Sequence, residues 1–595
     1  MSDPLRLLAR ERALESRLSM VADRLVGHLP RLGIDENALL LIFALMIGGA
    51  VGLAVIVFYK LIDLAQAGSV SAVGRLEGIG SLAILAVVIA GLTLARWLVR
   101  VGAKDSDGEN VPSVMLAVAK GGGVVHSFPV IIKTIATALA IGTGGAVGAE
   151  GPVAVAGSAL GSKIGRFFRS GPARLRLLVA CGAAAGISAA FNAPIAGVFF
   201  SLEKVIGSFG VSAFPPILVA SVVAATIARA AFGNTPVIAI PTEYAVGAPS
   251  ELVLYAILGI ACGVVGVVYT RAAFRVDDIV RRVPRYWIRV LIAAAVVGLL
   301  GMVFQADLWG HGHESLSIEM IGARTGLFLL GLTAAKIIAT AATLSAARCG
   351  GVFTPALFVG ATLGGGLATV LRDALGLTII PEAFALVAMA GVVAASTHAP
   401  LTAIMIVFEM TSDYALVLPL MLCGAIAYIT ARRLYPHSIY SEWLVRRGEE
   451  IHAGRDTAIL GRLRVGDVFN RNPTVVSESA TVAQILDAMG TSRQIEFPVL
   501  DEQLHLLGMI THADLRAVLT DSERIAPIVL AGDLVNPQFE AVTPNDTLHD
   551  ALQRLAVRGS HDIPVVADGD SSRLVGVIGR VEILNAYDRE VMRGR

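Results

Sequence analysis

The sequence feature that most constrains the fold of this chain is a long apolar run near its start. Residues 38–59 contain no charged side chain, and a helix that rises about 1.5 Å per residue would carry them across a hydrocarbon core about 30 Å thick. Similar runs fill most of the sequence from 37 to 448. Only 16% of the residues are charged and the mean hydropathy is +0.71, whereas soluble domains average about a quarter charged residues. We therefore predict a polytopic, all-α protein of the cell membrane, surrounded by the lipid bilayer.

Some apolar segments do not look like ordinary spanning helices. Residues 81–95, 153–162 and 352–371 are predicted to be too short, or too interrupted by Gly and Pro, to cross cleanly. Non-helical backbone at membrane depth is tolerated only where protein or a water-filled cavity satisfies its polar groups. Such segments mark substrate paths in transporters, so they predict a transport pathway rather than a simple anchor or receptor.

The membrane region is flanked by more polar sequence. Residues 1–36 carry six arginines and lack a signal-peptide core, which predicts an amphipathic, cytosolic N-terminal segment. Residues 37–448 form the predicted transmembrane domain and 449–462 a linker. The C-terminal soluble region is then also predicted to lie in the cytoplasm.

The C-terminal region contains an internal repeat. The sequence Phe497-Pro498-Val499 in residues 463–522 reappears as Ile563-Pro564-Val565 in residues 529–590, and glycine-led second strands follow both. Each copy has the pattern of an opening turn, an amphipathic helix, two short strands and a final helix. Because repeats bury a continuous core by stacking, we predict an α/β pair in which each copy completes the other's core.

Three membrane segments combine a glycine-containing turn with a proline near a predicted helix start. They are Gly108-Glu109-Asn110-Val111-Pro112, Gly148-Ala149-Glu150-Gly151-Pro152 and Gly351-Val352-Phe353-Thr354-Pro355. Proline suits a first helical position, where its missing N–H loses no hydrogen bond. The free amides and the positive dipole end at such a start attract anions. Since neutral amides replace hydration without trapping the ion, the three segments predict a pathway for small anions.

Other patterns exclude several classes of function. The four cysteines are widely spaced and form no Cys/His cluster, so we expect neither a disulfide framework nor a metal site. A net charge of +1 gives no basis for nucleic-acid binding. The sequence contains no recognisable nucleophile–base set or phosphate loop, and we expect no enzymatic activity.

Five segments, in consistent order, carry a resemblance to a known family. They are residues 148–152, 191–197, 351–355, 408–411 and 439–441. Over 37–448 the chain resembles the CLC chloride channel and transporter family, and the C-terminal repeat resembles a pair of CBS domains. The resemblance implies a membrane domain of two inverted halves with broken helices, followed by the CBS pair. It also implies a homodimer with one pore in each subunit.

The resemblance assigns roles to single residues. Glu150 matches the gating glutamate, whose carboxylate competes with the anion and swings out when protonated. The implied anion-binding positions are Glu109, Asn110, Gly151, Val352, Phe353 and Tyr440. The Tyr440 hydroxyl would reach the anion from the cytoplasmic side. Thr354 is expected to matter little, because the backbone beside it would do the binding.

The first glycine–proline segment departs from the family pattern Gly-Ser-Gly-Ile-Pro, because Glu109 stands at its serine position and Asn110 at its second glycine. An ionised carboxylate about 4 Å from an anion would repel it by about 4 kcal/mol at an effective dielectric near 20. Glu109 therefore turns away, is protonated, or alters the site. A different anion, such as bicarbonate or nitrate, is the alternative to chloride. Family members commonly have Arg or Lys at the position of Ala149. This chain therefore lacks a cation beside Glu150.

A second departure concerns proton coupling. Proton-coupled relatives commonly carry a proton-relaying glutamate where this chain has Lys204, with Glu203 just before it. Neighbouring helix positions point about 100° apart, so Glu203 is not expected to face where Lys204 faces. We expect a charged, water-accessible lysine at a helix end, and hence anion transport with weak or no proton coupling. Stoichiometric anion/proton exchange is the alternative.

The CBS pair has a possible ligand. In nucleotide-binding pairs, a Thr or Ser and an Asp after the second strand contact phosphate and ribose. The first repeat has Thr511 and Asp514, and the second has Gly579 and Glu582. An adenine nucleotide is therefore a candidate ligand, with Thr511, Asp514 and Glu582 as contacts. The alternative is a dimerisation module without a cofactor.

Overall fold

The computed structural model describes residues 36–75, 81–103, 110–233, 238, 249–304, 318–376, 379–449, 460–461, 463–492, 494–511, 514–515, 529–537, 539–558 and 560–593. The chain divides into two units, Met1–Ile451 and His452–Arg595. The predicted N-terminal segment, apart from its last residue, lies outside the described residues, as do Glu109 and most of the predicted linker.

The first unit is helical. In chain order its helices are α1 Glu36–Arg75, α2 Ser81–Gly102, α3 Val111–Ala119, α4 Ser127–Gly142, α5 Glu150–Phe167, α6 Pro172–Phe191, α7 Pro194–Phe200, α8 Phe214–Phe232, α9 Pro249–Arg281, α10 Tyr286–Phe304, α11 Ile318–Ala323, α12 Gly326–Ala347, α13 Phe353–Leu375, α14 Pro381–Thr397, α15 Pro400–Thr411, α16 Val417–Leu434 and α17 Ile439–Val445. A π-helical turn, Ser201–Ile206, continues α7, and a 3-10 turn, Tyr414–Leu416, precedes α16. Proline stands in the first turn of α3, α6, α7, α8, α14 and α15, where it loses no helical hydrogen bond.

Within the described residues, nine helical segments are long and apolar enough to cross a membrane. Two of them are Leu82–Gly102 and Phe353–Leu375, so the prediction that 81–95 and 352–371 are too short, or too interrupted by Gly and Pro, to form spanning helices is wrong. In α2 the guanidinium groups of Arg96 and Arg100 lie over the ring of Tyr286. Residues 153–162 belong to α5, which is not among the nine.

Two stretches of the first unit are related by a local two-fold axis. Gly148 and Gly351 each stand four residues before a motif proline, and they pair in an antiparallel bridge. The two N–H···O distances of the bridge are 2.8 Å and 2.7 Å. The helices that follow begin at the equivalent positions Glu150 and Phe353. A reciprocal antiparallel pair of equivalent residues is what two inverted halves require, so this part of the fold agrees with the prediction.

Small residues let α5 and α6 touch backbone to backbone. A Cβ atom at Gly157 would lie 2.1 Å from the carbonyl oxygen of Gly182, and one at Gly182 would lie 2.0 Å from that of Gly157. Close approach of this kind is the usual way in which membrane helices pack through small residues. The helix that begins at Glu150 is thereby fixed against its neighbour.

The second unit contains two small sheets with their helices. Its elements are β1 Val476–Ser477, α18 Val482–Thr491, β2 Phe497–Leu500, β3 Leu506–Ile510, α19 Ala531–Leu534, α20 Leu548–Arg558, β4 Asp562–Ala567, β5 Asp570–Gly579 and α21 Arg580–Arg593. Strand β1 is parallel to β2, whereas the pairs β2–β3 and β4–β5 are antiparallel. The predicted order of helix, strand and strand is confirmed in both repeats.

The two repeats complete each other's cores, as predicted. Val465, which precedes the first repeat's strands, is buried in one cluster with Val565 of the second repeat. Ala531, which opens the second repeat, is buried in another cluster with Phe497 of the first. Neither repeat would therefore have a closed core alone.

Candidate functional site

The first residue of α5 places a carboxyl group deep in the first unit. Glu150 is only 2% exposed. Its Oε1 accepts a hydrogen bond from the Phe353 N–H at 2.6 Å, and its Oε2 accepts one from the Thr354 hydroxyl at 2.8 Å. Both donors stand in the first turn of α13, where the helix dipole favours negative charge. The side chain thus occupies the kind of position that a bound anion would take.

The paired glycines make room for this carboxylate. A Cβ atom at Gly148 would lie 1.9 Å from Oε2 of Glu150, and one at Gly351 would lie 2.0 Å from Oε1. Both distances are far shorter than any van der Waals contact, so a side chain at either glycine would displace the carboxylate. Each oxygen faces one of two equivalent glycines, and the carboxylate therefore lies at the local two-fold axis.

Two side chains at this site were not identified from the sequence. Thr354 was expected to matter little, yet its hydroxyl is one of the two donors to Glu150. Tyr269, on α9, donates its hydroxyl hydrogen to the Val352 carbonyl at 2.7 Å. Thr354 could have been recognised from the sequence, because it is a polar residue directly before the motif proline Pro355. Tyr269 carries no local signal, because only the tertiary fold brings α9 to the start of α13.

A cavity of about 570 Å³ brings the starts of α3, α5, α13 and α17 together. Its lining includes Asn110, Gly151, Val352 and Tyr440, four of the predicted anion-binding positions. Phe353, a fifth, donates its amide hydrogen to Glu150. Residues from three separate glycine–proline segments therefore meet at one place, although the segments are far apart in the sequence.

The start of α3 offers less to an anion than was predicted. The Asn110 N–H donates to Ser113 Oγ at 2.9 Å, and Asn110 Oδ1 accepts the Ser113 N–H at 3.1 Å. This capping box satisfies two of the free amides that a helix start would otherwise present. The predicted Asn110 contact therefore cannot use the Asn110 amide in this arrangement, because that amide faces Ser113 rather than the cavity.

Tyr440 gives a prediction of modest size. It stands at the start of α17, is 5% exposed and lines the cavity. We expect Tyr440→Phe to weaken anion binding by about 0.5–1.5 kcal/mol, the net contribution of a neutral hydrogen bond. Calorimetric titration with chloride measures this change, with Tyr414→Phe, at a tyrosine that is 81% exposed, as the matched control. Unchanged affinity in Tyr440→Phe would remove the hydroxyl from the site.

Lys204 contacts the C-terminal end of α14, and Glu203 contacts the first turn of α15. The Lys204 Nζ donates to the His398 carbonyl at 2.7 Å, and Glu203 Oε2 accepts the Thr402 N–H at 3.0 Å and its hydroxyl at 2.7 Å. The expectation that Lys204 is a solvated, water-accessible lysine is therefore wrong. Lys204 is half-buried, because both long side chains reach across to neighbouring helix ends.

The same contacts recur in the other half. Glu203 and Glu409 stand at the same distance after Pro194 and Pro400. Glu409 accepts the N–H groups of Ile195 and Ala196 at 3.0 Å and 2.7 Å. Each glutamate thus caps the first turn of the other half's helix, where negative charge is stabilised. This reciprocity gives Glu203 a structural role.

The residues predicted to bind a nucleotide lie at helix starts in the second unit. The Thr511 hydroxyl and N–H both donate to Asp514 Oδ2, at 2.6 Å and 2.8 Å. Glu582 Oε2 accepts the Gly579 N–H at 3.1 Å. These are capping contacts, which give all three predicted residues a structural role. The adenine nucleotide and the alternative of a dimerisation module without a cofactor both stay predictions.

Comparison with known proteins agrees with these motifs. The profile of the voltage-gated chloride channel family matches residues 91–432, and the CBS domain profile matches 465–521 and 531–589. A ClcB-like chloride channel protein of Ralstonia nicotianae is 34% identical over 377 residues, which cover 61% of this chain and 84% of that protein. The H(+)/Cl(-) exchange transporter ClcA of Salmonella agona is 30% identical and is matched over 69% of this chain and 89% of its own length.

A solved structure extends the likeness to three dimensions. A slow cyanobacterial Cl−/H+ antiporter superposes with a TM-score of 0.62 at 27% identity, covering 69% of this chain and 97% of that one. The family profile spans more than half of the sequence, and the glycine–proline segments meet at a single cavity. The chain therefore belongs to the CLC family of chloride channels and transporters and carries a pair of CBS domains after its membrane region.

Proposed function

We propose that the protein moves small anions, chloride first among them, through a pore in each subunit of a homodimer. Glu150 is the gate, and proton coupling is weak or absent. The observation that supports this best is the carboxylate held by the Phe353 N–H and the Thr354 hydroxyl at the start of α13. A carboxylate there is a tethered anion, so a free anion can take the same donors only after displacing it.

The charges of the cavity fit a pathway that releases its ion. Arg281 is paired with Asp277 at 2.7 Å, and Arg446 with Asp278 at 2.9 Å. Pairing weakens the pull of these two cations on a passing anion, while Lys133, Arg348 and Arg447 also line the cavity. The neutral donors at the helix starts would supply the direct contacts to the anion. Weak, neutral sites permit both entry and exit. In this proposal the N-terminus and the CBS pair lie in the cytoplasm, because the arginines of residues 1–36 favour that side.

Weak proton coupling is inferred from Lys204. Its ammonium group donates to the carbonyl of His398, at the C-terminal end of α14, where the helix dipole favours a cation. An ammonium group held at this helix end would repel an incoming proton. The competing candidate is stoichiometric anion/proton exchange, which is favoured by the likeness to proteins named as H+/Cl− exchangers.

Reconstitution in liposomes separates the two candidates. A chloride gradient is imposed, a pH-sensitive dye is placed outside, and anion and proton movement are recorded together. We expect a reversal potential that follows the anion gradient alone, with no proton movement, in the parent protein, in Lys204→Ala and in the control Lys163→Ala, which alters an exposed lysine. Chloride flow that drives protons uphill at a fixed ratio, lost only in Lys204→Ala, would establish exchange with Lys204 as the relay.

Glu109 is proposed to set anion preference. Glu109→Ser restores the commoner family residue, removes a negative charge and adds a hydroxyl donor. We expect a higher chloride flux relative to nitrate and bicarbonate, because repulsion of about 4 kcal/mol from a carboxylate near 4 Å would be relieved. Flux ratios for the three anions in proteoliposomes measure this change. Identical ratios in the two proteins would place Glu109 outside the binding site.

A further inference from the structure

Tyr269 holds the peptide group that binds the gate. It is 1% exposed, and its hydroxyl donates to the Val352 carbonyl at 2.7 Å. The same carbonyl accepts the helical N–H of Ala356 at a longer distance, 3.3 Å. One and two helical turns further along α9, Ala273 and Asp277 line the cavity. Tyr269 therefore lies on the face of α9 that adjoins the anion site, one turn beyond the cavity lining.

The peptide bond joins this contact to the gate. The Val352 carbonyl and the Phe353 N–H belong to one planar, trans peptide group, so the two bonds point in opposite directions. Tyr269 holds the carbonyl end, and the N–H end donates to Glu150 Oε1 at 2.6 Å. A donor on the carbonyl oxygen polarises the peptide and strengthens its N–H as a donor. The hydroxyl of Tyr269 thus acts on the carboxylate without touching it.

We propose that Tyr269 is a positioning residue of the anion site. Its hydroxyl fixes the direction and the donor strength of the Val352–Phe353 peptide. It thereby sets how tightly the Phe353 N–H holds either the docked Glu150 carboxylate or the anion that replaces it. This inference rests on the proposed function, in which anion and carboxylate compete for one donor.

Because the anion and the Glu150 carboxylate compete for the Phe353 N–H, the role of Tyr269 can be recognised from how anion affinity changes with and without that carboxylate. In a Glu150→Gln protein the anion takes the Phe353 N–H without a charged competitor. Loss of the Tyr269 hydroxyl should then weaken anion binding by up to about fivefold, because a hydrogen bond to a charged group loses the roughly 10–30% strengthening that a polarised peptide gives it. In the parent protein the carboxylate loses the same support as the anion, so the apparent affinity should change much less. A general loss of packing would lower affinity in both backgrounds alike.

The experiment uses the full chain in detergent and chloride as the probe. Calorimetry gives the dissociation constant for the parent, Tyr269→Phe, Glu150→Gln and the double variant. Tyr255→Phe in the Glu150→Gln background is the matched control, since Tyr255 is a fully buried tyrosine on the same helix that packs on Phe384. We expect the control to leave the dissociation constant unchanged.

A graded variant covers the case in which Tyr269→Phe folds poorly. Incorporation of 3-fluorotyrosine at position 269 keeps the shape of the ring and makes the hydroxyl a stronger donor, so chloride should bind more tightly in the Glu150→Gln background. Equal affinities with tyrosine, phenylalanine and fluorotyrosine at this position would overturn the inference. Failure of Glu150→Gln itself to bind chloride or nitrate would count against the proposed function instead, so the two outcomes are distinguishable.

Discussion

Replacing Glu150 by glutamine is expected to leave anion flux in place and to remove its dependence on pH. Glutamine keeps the shape of the side chain but cannot carry the negative charge that the Phe353 N–H and the Thr354 hydroxyl stabilise. Hydrogen bonds to a charged group contribute about 1.5–3 kcal/mol each. Loss of one such bond corresponds to about a tenfold change or more in occupancy of the docked position. The site would then be open to anions at every pH.

Chloride efflux from proteoliposomes, recorded from acidic to neutral pH, measures the flux of Glu150→Gln and its pH dependence. At neutral pH we expect Glu150→Gln to be at least about tenfold faster than the parent. Glu409→Gln is the matched control, because Glu409 is a second glutamate whose carboxylate binds backbone N–H groups at a helix start, but outside the cavity lining. If Glu150→Gln titrates like the parent, Glu150 is not the gate.

A change at Gly148 should have an effect of similar size while leaving the carboxyl group intact. A Cβ atom there would lie 1.9 Å, 2.5 Å and 2.5 Å from three atoms, all of the Glu150 carboxyl group. The end of a flexible side chain yields more readily than backbone, so Gly148→Ala should push the carboxylate out of its docked position. At neutral pH we expect flux to rise toward that of Glu150→Gln and most of the pH dependence to be lost.

The control for Gly148→Ala is Gly49→Ala, because a Cβ atom at Gly49 would meet nothing within 4 Å. The double variant Gly148→Ala/Glu150→Gln provides a second check, measured by the same efflux assay. Two changes that act by emptying one position should not add. Flux in the double variant well above that of either single variant, or an unchanged pH profile in Gly148→Ala, would show that the carboxylate does not dock between the glycines.

The sequence predicted the parts of the site that depend on local chain geometry. Proline near a helix start and glycine before it restrict the backbone wherever the rest of the chain lies, so the starts of α5 and α13 could be recognised. The pairing of Gly148 with Gly351 could not, because it joins segments far apart in the sequence. The contact from Tyr269 to the Val352 carbonyl was beyond prediction for the same reason.

The error at Lys204 has a specific physical cause. Helix periodicity predicts the directions in which Cβ atoms point, but it does not predict where the end of a long side chain lies. Glu203 and Lys204 are neighbours on a π-helical turn, and they extend to Thr402 in the first turn of α15 and to His398 at the end of α14. Both contacts are made with helices of the other half of the membrane unit. They could have been predicted only from the symmetry between the halves, which relates Glu203 to Glu409.

The location of the Glu150 carboxylate between Gly148 and Gly351 bears on rectification. Positions related by a two-fold axis in the membrane plane present the same backbone groups toward both faces of the bilayer. An ion held there would meet the same groups from either side, so opposite gradients of equal size should drive fluxes of equal size. Rectification, if it occurs, must then arise where the halves differ. The first such difference is at the axis itself, where one half supplies Glu150 and the other supplies Phe353.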